Sequence, residues 1–317
     1  MRIVTYNVRY FGHGTRGFAS TRRAVRRIAD ALVALDPLPG LICLQEMETT
    51  SIRSTLADPQ TKDGETQLSR FMEAFEAAFV AANKKGRYEA YYFPAHSYKS
   101  VGNNKPFYTT GLAVLAHEDF VIDHHNAEAP EDITHRHLHP IRGLKQTRIC
   151  AHVRFRYKGL HPIDVFNTHL SLPSTMSKEF WTSPQRLGYG PNQLEEAKNL
   201  ARFVDAERES DRFVVVGDFN SLPGSPAYRY LVEECRWADA LAAVHGLDHD
   251  ALVKWPTAGF MSMRMHLDHV FSGPGLAFHD FAGSHRFGER KAPFHGLSDH
   301  VPLIGQCRIV DPADPVR

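Results

Sequence analysis

The sequence predicts an α/β or α+β protein. Strand-like and helix-like runs interleave along its 317 residues, the pattern of sheets covered by helices. Three stretches carry apolar residues at helical spacing, and most of the others are short apolar runs bounded by polar or turn residues. No repeat of about 20–50 residues and no linker divides the chain, so residues 1–310 are expected to form one domain. The tail 311–317 holds two prolines and three charges and is expected to fray.

The elements follow in order. Residues 2–8 read as a strand. Ser20 is placed to cap a helix running to about Leu35, with Val25, Ile28, Leu32 and Leu35 along one face. Residues 41–44 form a short buried strand. Leu68, Phe71, Met72, Phe75 and Phe79 make the apolar stripe of a second helix. Strands are expected at 87–93, 111–115, 148–157 and 162–168. A third helix at 192–208 presents Leu194, Ala197, Leu200 and Val204. Strands at 213–216, 266–271 and 301–309 complete the pattern. Residues 123–140 and 171–191 read as long loops, a class that often supplies lids or binding surfaces.

Composition narrows the function. Lys and Arg total 37 against 36 Asp and Glu, a net charge of +1. That excludes a protein coating nucleic acid by bulk charge, though not a local basic patch. The cysteines at 43, 150, 235 and 307 form no C-x-x-C and are expected to be reduced, buried thiols. The chain opens on an apolar strand without a charged leader, and no run approaches 18 apolar residues. A cytoplasmic protein without a transmembrane segment is therefore expected. No partner protein is evident. Histidine is abundant, at 19 residues; it is both a common metal ligand and a proton shuttle near neutral pH.

Polar residues stand at the downstream ends of the apolar runs. IVTY ends in Asn7, LICLQ in Glu46 and IDVFNT in His169; FVVV opens into Gly217-Asp218-Phe219-Asn220. Asp268 lies within HLDHVF, and Ser298-Asp299-His300 precedes the last strand. Ligands of α/β sheets bind beyond the carboxyl ends of strands, so this set is expected to converge. The chemistry is coherent. Glu46 is a hard oxygen ligand suited to Mg²⁺. Asp218 can orient or deprotonate water, and Asn7 and Asn220 hold oxygens without adding negative charge. Two histidines can stabilise a phosphoryl oxygen or protonate a leaving group, with Asp268 orienting one of them. Together they describe metal-assisted hydrolysis of a phosphate ester.

These motifs resemble the endonuclease/exonuclease/phosphatase superfamily, which is DNase I-like. The matching segments are TYNVRY, LQE, TTGLAVLA, QTRICAHV, NTHL, VVVGDFNSLP, HLDHVF and LSDHVPL, from residue 5 to residue 303. The resemblance implies a four-layer sandwich, two packed mixed β-sheets flanked by helices, with the site at one end. It implies Mg²⁺, with Mn²⁺ as a substitute, held by Glu46 with Asn7 close by and Asp299 as a metal-side carboxylate. Asp218 and Asn220 would position the nucleophilic water and the phosphate. His169 would bind phosphate, His300 oriented by Asp268 would be the second catalytic histidine, and Arg148 would face the substrate. Arg9 stands where exonuclease III-like members carry an acidic residue, and His169 where they carry a different one. Both point to the NTHL-bearing branches.

The expected substrate is a phosphoester. A nucleic acid is slightly favoured over a lipid or small phosphoester. A catalytically dead binding module would not need the full polar set. A zinc hydrolase would need a denser histidine cluster than these oxygen-rich motifs supply. His124, His125, His135, His137 and His139 match no common zinc spacing, and proximity to the rim of the site is the favoured reading of their loop. Arg22, Arg23, Arg26 and Arg27 read as a solvated helix face before they read as a phosphate-binding one. Phe180, Trp181 and Tyr189 could stack on bases or cover a lipid chain, with packing under their loop an equal alternative.

Overall fold

The computed structural model describes residues 1–9, 22–48, 66–95, 98–99, 106–108, 110–135, 147–172 and 187–310. Ser20, His137, His139, Phe180, Trp181 and the 311–317 tail lie outside them. The strands of the two main sheets are, in chain order, β1 (Arg2–Asn7), β2 (Leu41–Glu48), β3 (Tyr88–Pro94), β4 (Thr110–His117), β5 (Phe120–His125), β6 (Glu131–Asp132), β7 (Ile149–Tyr157), β8 (Pro162–His169), β9 (Phe213–Asp218), β10 (Ala238–Asp239), β11 (Asp268–Ser272), β12 (Leu276–Asp280) and β13 (Leu303–Ile309). The long helices are α1 (Arg22–Val33), α2 (Gln67–Ala81) and α3 (Pro191–Glu207).

One sheet has the order β12-β13-β1-β2-β4-β3. The other runs β10-β11-β9-β8-β7-β5, with β6 on β7. Each is mixed, with one parallel pair at its centre: β1 with β2, and β8 with β9. A parallel pair needs a crossover, and the sequence provides α1 for the first and α3 for the second. The two sheets therefore repeat one device. Side-chain alternation sorts the core. Ile3, Leu41, Cys43 and Val114 face the other sheet, where Val153, Phe155 and Val165 meet them. Val4, Tyr6, Ile42 and Leu44 face outward, under Val25, Ile28 and Leu32 of α1 and Phe71 and Phe75 of α2. Leu200 and Val204 of α3 belong to the core of the second sheet. Two mixed sheets flanked by helices is the expected class.

A polar bridge crosses this apolar interior. Gln45 Nε2 donates to Thr5 Oγ1 at 3.0 Å and to Asn167 Oδ1 at 2.7 Å. Asn167 Nδ2 in turn donates to the carbonyls of Leu44 and Ala113 at 3.1 and 3.2 Å. Two motif residues, the Gln of LQE and the Asn of NTHL, thus join the sheets beneath the polar end rather than acting at it. A network of this kind fixes register, since a slip would strand more buried amide groups than the one Gln45 Oε1 already left without a partner.

Several elements were not foreseen. β5, whose last three residues fall in the expected 123–140 loop, is an edge strand with one mostly exposed face, which leaves only a faint alternating signal. β12 is likewise an edge strand. The 266–271 strand begins at Asp268 instead, because His266 turns aside to the Trp255 carbonyl. The cysteines are free, with Cys43, Cys150 and Cys307 buried. No helix among the described residues is long and apolar enough to cross a membrane.

Gly217 closes β9 at φ +147°, and a Cβ built there would lie 2.0 Å from the Thr168 carbonyl oxygen. Gly217→Ala is expected to destabilise the fold by at least about 2 kcal/mol, since both backbone strain and a backbone clash must be relieved. A denaturant midpoint equal to wild type would refute this.

Candidate active site

The carboxyl ends of both parallel pairs open at the same end of the sandwich. Asn7 lies beside Gln45 in the first pair and His169 beside Asp218 in the second. Antiparallel β11 begins there too, with Asp268 opposite Asp218. The expected convergence thus spans two sheets rather than one edge.

Asn7 is the hinge between them. Its Nδ2 donates to Glu46 Oε1 at 3.2 Å and to Asp218 Oδ2 at 3.0 Å, while its Oδ1 accepts the Arg9 amide at 3.0 Å. Glu46 reaches this position through an irregularity in the pairing of β2 with β4 between Leu44 and Met47. It sits at φ +57°, a conformation a non-glycine residue adopts at a cost of about 1–3 kcal/mol and one that clusters at functional sites. Asn220 is a second such residue, at φ +47°. Its amide nitrogen donates to Asp218 Oδ1 at 2.9 Å, and its side chain donates to the Leu170 carbonyl at 2.9 Å. Asn220 therefore shapes the loop that presents Asp218.

Both expected histidines face Asp218. His169 Nε2 and His300 Nε2 each lie 3.6 Å from Asp218 Oδ2. His300 Nδ1 is 2.8 Å from Asp268 Oδ2, so the ring is held from behind by a buried carboxylate. The Asp268 amide is itself fixed by Thr257 Oγ1 at 3.1 Å. Asp299 pairs with Arg9 across the mouth. Arg148 donates through Nε to Ser171 Oγ at 3.3 Å, and Ser171 donates to the buried Glu196 of α3 at 2.7 Å. All nine expected residues thus lie at this end of the sandwich, with Arg148 at its edge.

A family model described as Endonuclease/Exonuclease/phosphatase matches residues 4–300. The chain belongs to the Endonuclease/Exonuclease/phosphatase family. Members of the Endonuclease/Exonuclease/phosphatase family are phosphoesterases. Among solved structures it is similar to the human Nocturnin catalytic domain with bound sulfate, at 16% identity and TM-score 0.60, covering 98% of this chain and 93% of that one. A family member from Leptotrichia buccalis aligns at 16% identity and TM-score 0.66, covering 98% and 100%. A mannosyl-6-phosphatase from Bacteroides thetaiotaomicron aligns at 16% and 0.57, covering 98% and 100%. These likenesses concern the fold. No curated protein matches the sequence.

The electrostatics of this Endonuclease/Exonuclease/phosphatase site follow from crowding. Burial and the nearby Asp268 push Asp218 up to about 7, against the opposing pull of His300. Glu46 is raised by burial and by Asp299, against Asn7 and His300. Burial alone would lower His300, but Asp268 and Asp218 outweigh it and hold the ring well above its ordinary value. His169 goes the other way, lowered by burial and by Arg148. The surroundings thus favour the charged form of one histidine and the neutral form of the other, with Asp218 between them.

Four positioning residues escaped the sequence reading. Gln193 accepts from Gly188 and Gly190 at 3.1 and 3.2 Å and donates to the Asn220 carbonyl at 2.7 Å. Glu196 accepts from Ser171, and Ser298 donates to the Asn7 carbonyl at 2.8 Å. Thr257 holds Asp268. A signal existed for two of them: Gln193 and Glu196 fall in phase with Ala197, Leu200 and Val204 on the buried face of α3. Of the histidine-rich segment, residues 123–135 are described. His124 and His125 lie in β5, opposite Arg154 and Val153, several residues along the ladder from the site. The chain returns to its edge at Ile133 and Thr134, which bond the backbone of Arg148.

Proposed function

We propose that this protein is a divalent-metal-dependent phosphoester hydrolase acting by water attack on phosphorus with in-line displacement. The observation that carries the reading is the meeting of Asp218 with Asn7, His169 and His300 at the join of the two sheets. Four carboxylates, Glu46, Asp218, Asp268 and Asp299, crowd this end, and Asp268 keeps one buried oxygen without a partner. Such an oxygen-rich donor set suits a hard ion such as Mg²⁺ or Mn²⁺. Glu46, with Asn7 and Asp299 beside it, would hold the ion. Bound there, it would neutralise phosphoryl charge.

The chain's own groups divide the remaining work. Asp218 positions the attacking water and takes its proton, its Oδ1 anchored by the Asn220 amide so that Oδ2 faces the hollow. His300, cationic and braced by Asp268, donates to a phosphoryl oxygen as its charge grows. His169 is neutral and supplies a second donor. Arg148, tethered through Ser171 and Glu196, meets the substrate at the edge of the site. The presence of His169 and of Arg9 supports placement in the NTHL-bearing branches, and β13 beside β1 supports a single domain over 1–310.

The substrate is read as a phosphodiester of the nuclease type. The alternative, a small-molecule phosphoester, is favoured by the net charge of +1 and by the likeness to a mannosyl-6-phosphatase. Turnover of bis-p-nitrophenyl phosphate or an oligonucleotide is expected to require Mg²⁺ or Mn²⁺, to vanish in EDTA and to return on re-addition. Activity that survives exhaustive chelation would overturn the metal dependence. A parallel screen against sugar phosphates, inositol phosphates and sphingomyelin separates the substrate readings.

A further inference from the structure

Away from the active site, the outer face of the second sheet carries a cluster that the hydrolytic reading does not use. His124 of β5, His152 of β7 and Glu207 at the end of α3 bring potential donor atoms within 4.8 Å of one another. His152 is fully buried and stacked at 4.4 Å on Phe166. Its Nε2 lies 2.8 Å from Asp164 Oδ1, and its Nδ1 is buried with no partner. A buried polar atom left unpaired is costly and calls for an explanation.

We propose that His124, His152 and Glu207 form a second metal site, for Zn²⁺ or a similar late first-row ion, separate from the catalytic centre. The geometry of His152 is what such a site requires. A carboxylate on the far ring nitrogen fixes the tautomer with the proton on Nε2, leaving the Nδ1 lone pair for an ion; the histidines of metal sites are held in this way. Asp164 is itself held in place, its Oδ1 accepting from Arg154 Nε and its Oδ2 from the Glu209 amide, each at 2.8 Å, so it can fill this role. His124 is exposed and gives an ion a path in from solvent. Two imidazoles and one carboxylate suit zinc, with water as the fourth ligand.

The surrounding charge agrees. Arg154 Nε bonds Asp164 at 2.8 Å and lies 3.3 Å from Glu209. Arg154 thus faces two carboxylates and also bonds the Glu207 backbone carbonyl, which leaves the Glu207 carboxylate to the side of His124 and His152. An ion there would tie the edge strand β5 to the end of α3.

The test uses the full chain with saturating Mg²⁺, so that the catalytic site is not the one reporting. Zn²⁺ is titrated against a chelating indicator, and Co²⁺ is added to a parallel sample for its visible absorption. Wild type should bind one ion with nitrogen-ligand absorption and gain several degrees in Tm. His124→Ala and Glu207→Gln change accessible side chains. Each should lose the ion and the Tm rise while keeping Mg²⁺-supported hydrolysis at the wild-type level. Asp164→Asn should weaken the ion by about 10–100-fold. Equal zinc stoichiometry and affinity in wild type and His124→Ala, or no zinc uptake by wild type under saturating Mg²⁺, would overturn the proposal.

Discussion

Replacing Asp218 with Asn is expected to cut kcat/KM by about 10³–10⁴-fold, mostly in kcat. The substitution is nearly isosteric. It keeps an acceptor for the Asn220 amide, so the loop should hold, but it removes the base and the charge that orients both histidines. The pH profile supplies an independent readout. A base raised to about 7 by burial must lose its proton to act, so wild-type kcat/KM should fall as pH drops below that value. A bound cation shifts this limb to lower pH by favouring the carboxylate. The residual activity of Asp218→Asn should lack the limb. An unchanged acid limb in the variant, or a loss confined to KM, would remove Asp218 from the chemical step.

The second large effect concerns the His300–Asp268 pair. His300→Ala is expected to lower kcat by about 10²–10⁴-fold. Asp268→Asn should lose a comparable part, because the ring loses both its orientation and the carboxylate that stabilises its cation. The two act as one unit, so the double variant should be little worse than His300→Ala alone. Multiplying effects would show that Asp268 works independently. A stability signature accompanies this. His300 is raised in the fold by Asp268 and Asp218. Its contribution is therefore fully present below the unfolded value of about 6.5 and is lost as pH rises through the folded value. Above pH 6.5 the denaturation midpoint of His300→Ala should depend less on pH than that of wild type. A parallel dependence in the two proteins would contradict the assignment.

Much of the site could be read from the chain because its residues are punctuation. Asn7, Glu46, His169 and Asp218 each follow an apolar run, and a buried strand that ends in a polar residue presents it beyond the sheet. Asp268 and His300 were legible only together with their neighbours in HLDHVF and LSDHVPL. The roles of Gln45 and Asn167 were not legible. They belong to the same motifs, yet their amides bond each other 122 positions apart in sequence, and no local pattern encodes such a pairing. Gln193 and Glu196 show the converse. Their place on the apolar face of α3 was visible, but the groups they hold, Asn220 and Ser171, lie on segments that only folding brings near. The edge strands β5 and β12 were missed because an edge strand leaves a weaker burial signal.

By itself the sequence determined the alternation of strands and helices, the buried faces of α1, α2 and α3, and the polar set at the strand ends. These follow from side-chain periodicity and from the cost of burying unpaired polar atoms, which act over a few residues. Tertiary structure alone decided that the polar set is shared between two sheets, that Asn7 bonds Glu46 and Asp218 at once, and that proton affinity is raised at His300 and lowered at His169. It also decided that His124 lies beside His152, away from the catalytic end. Distances between remote segments and the local dielectric set hydrogen bonds and proton affinities, and both exist only once the two sheets have packed.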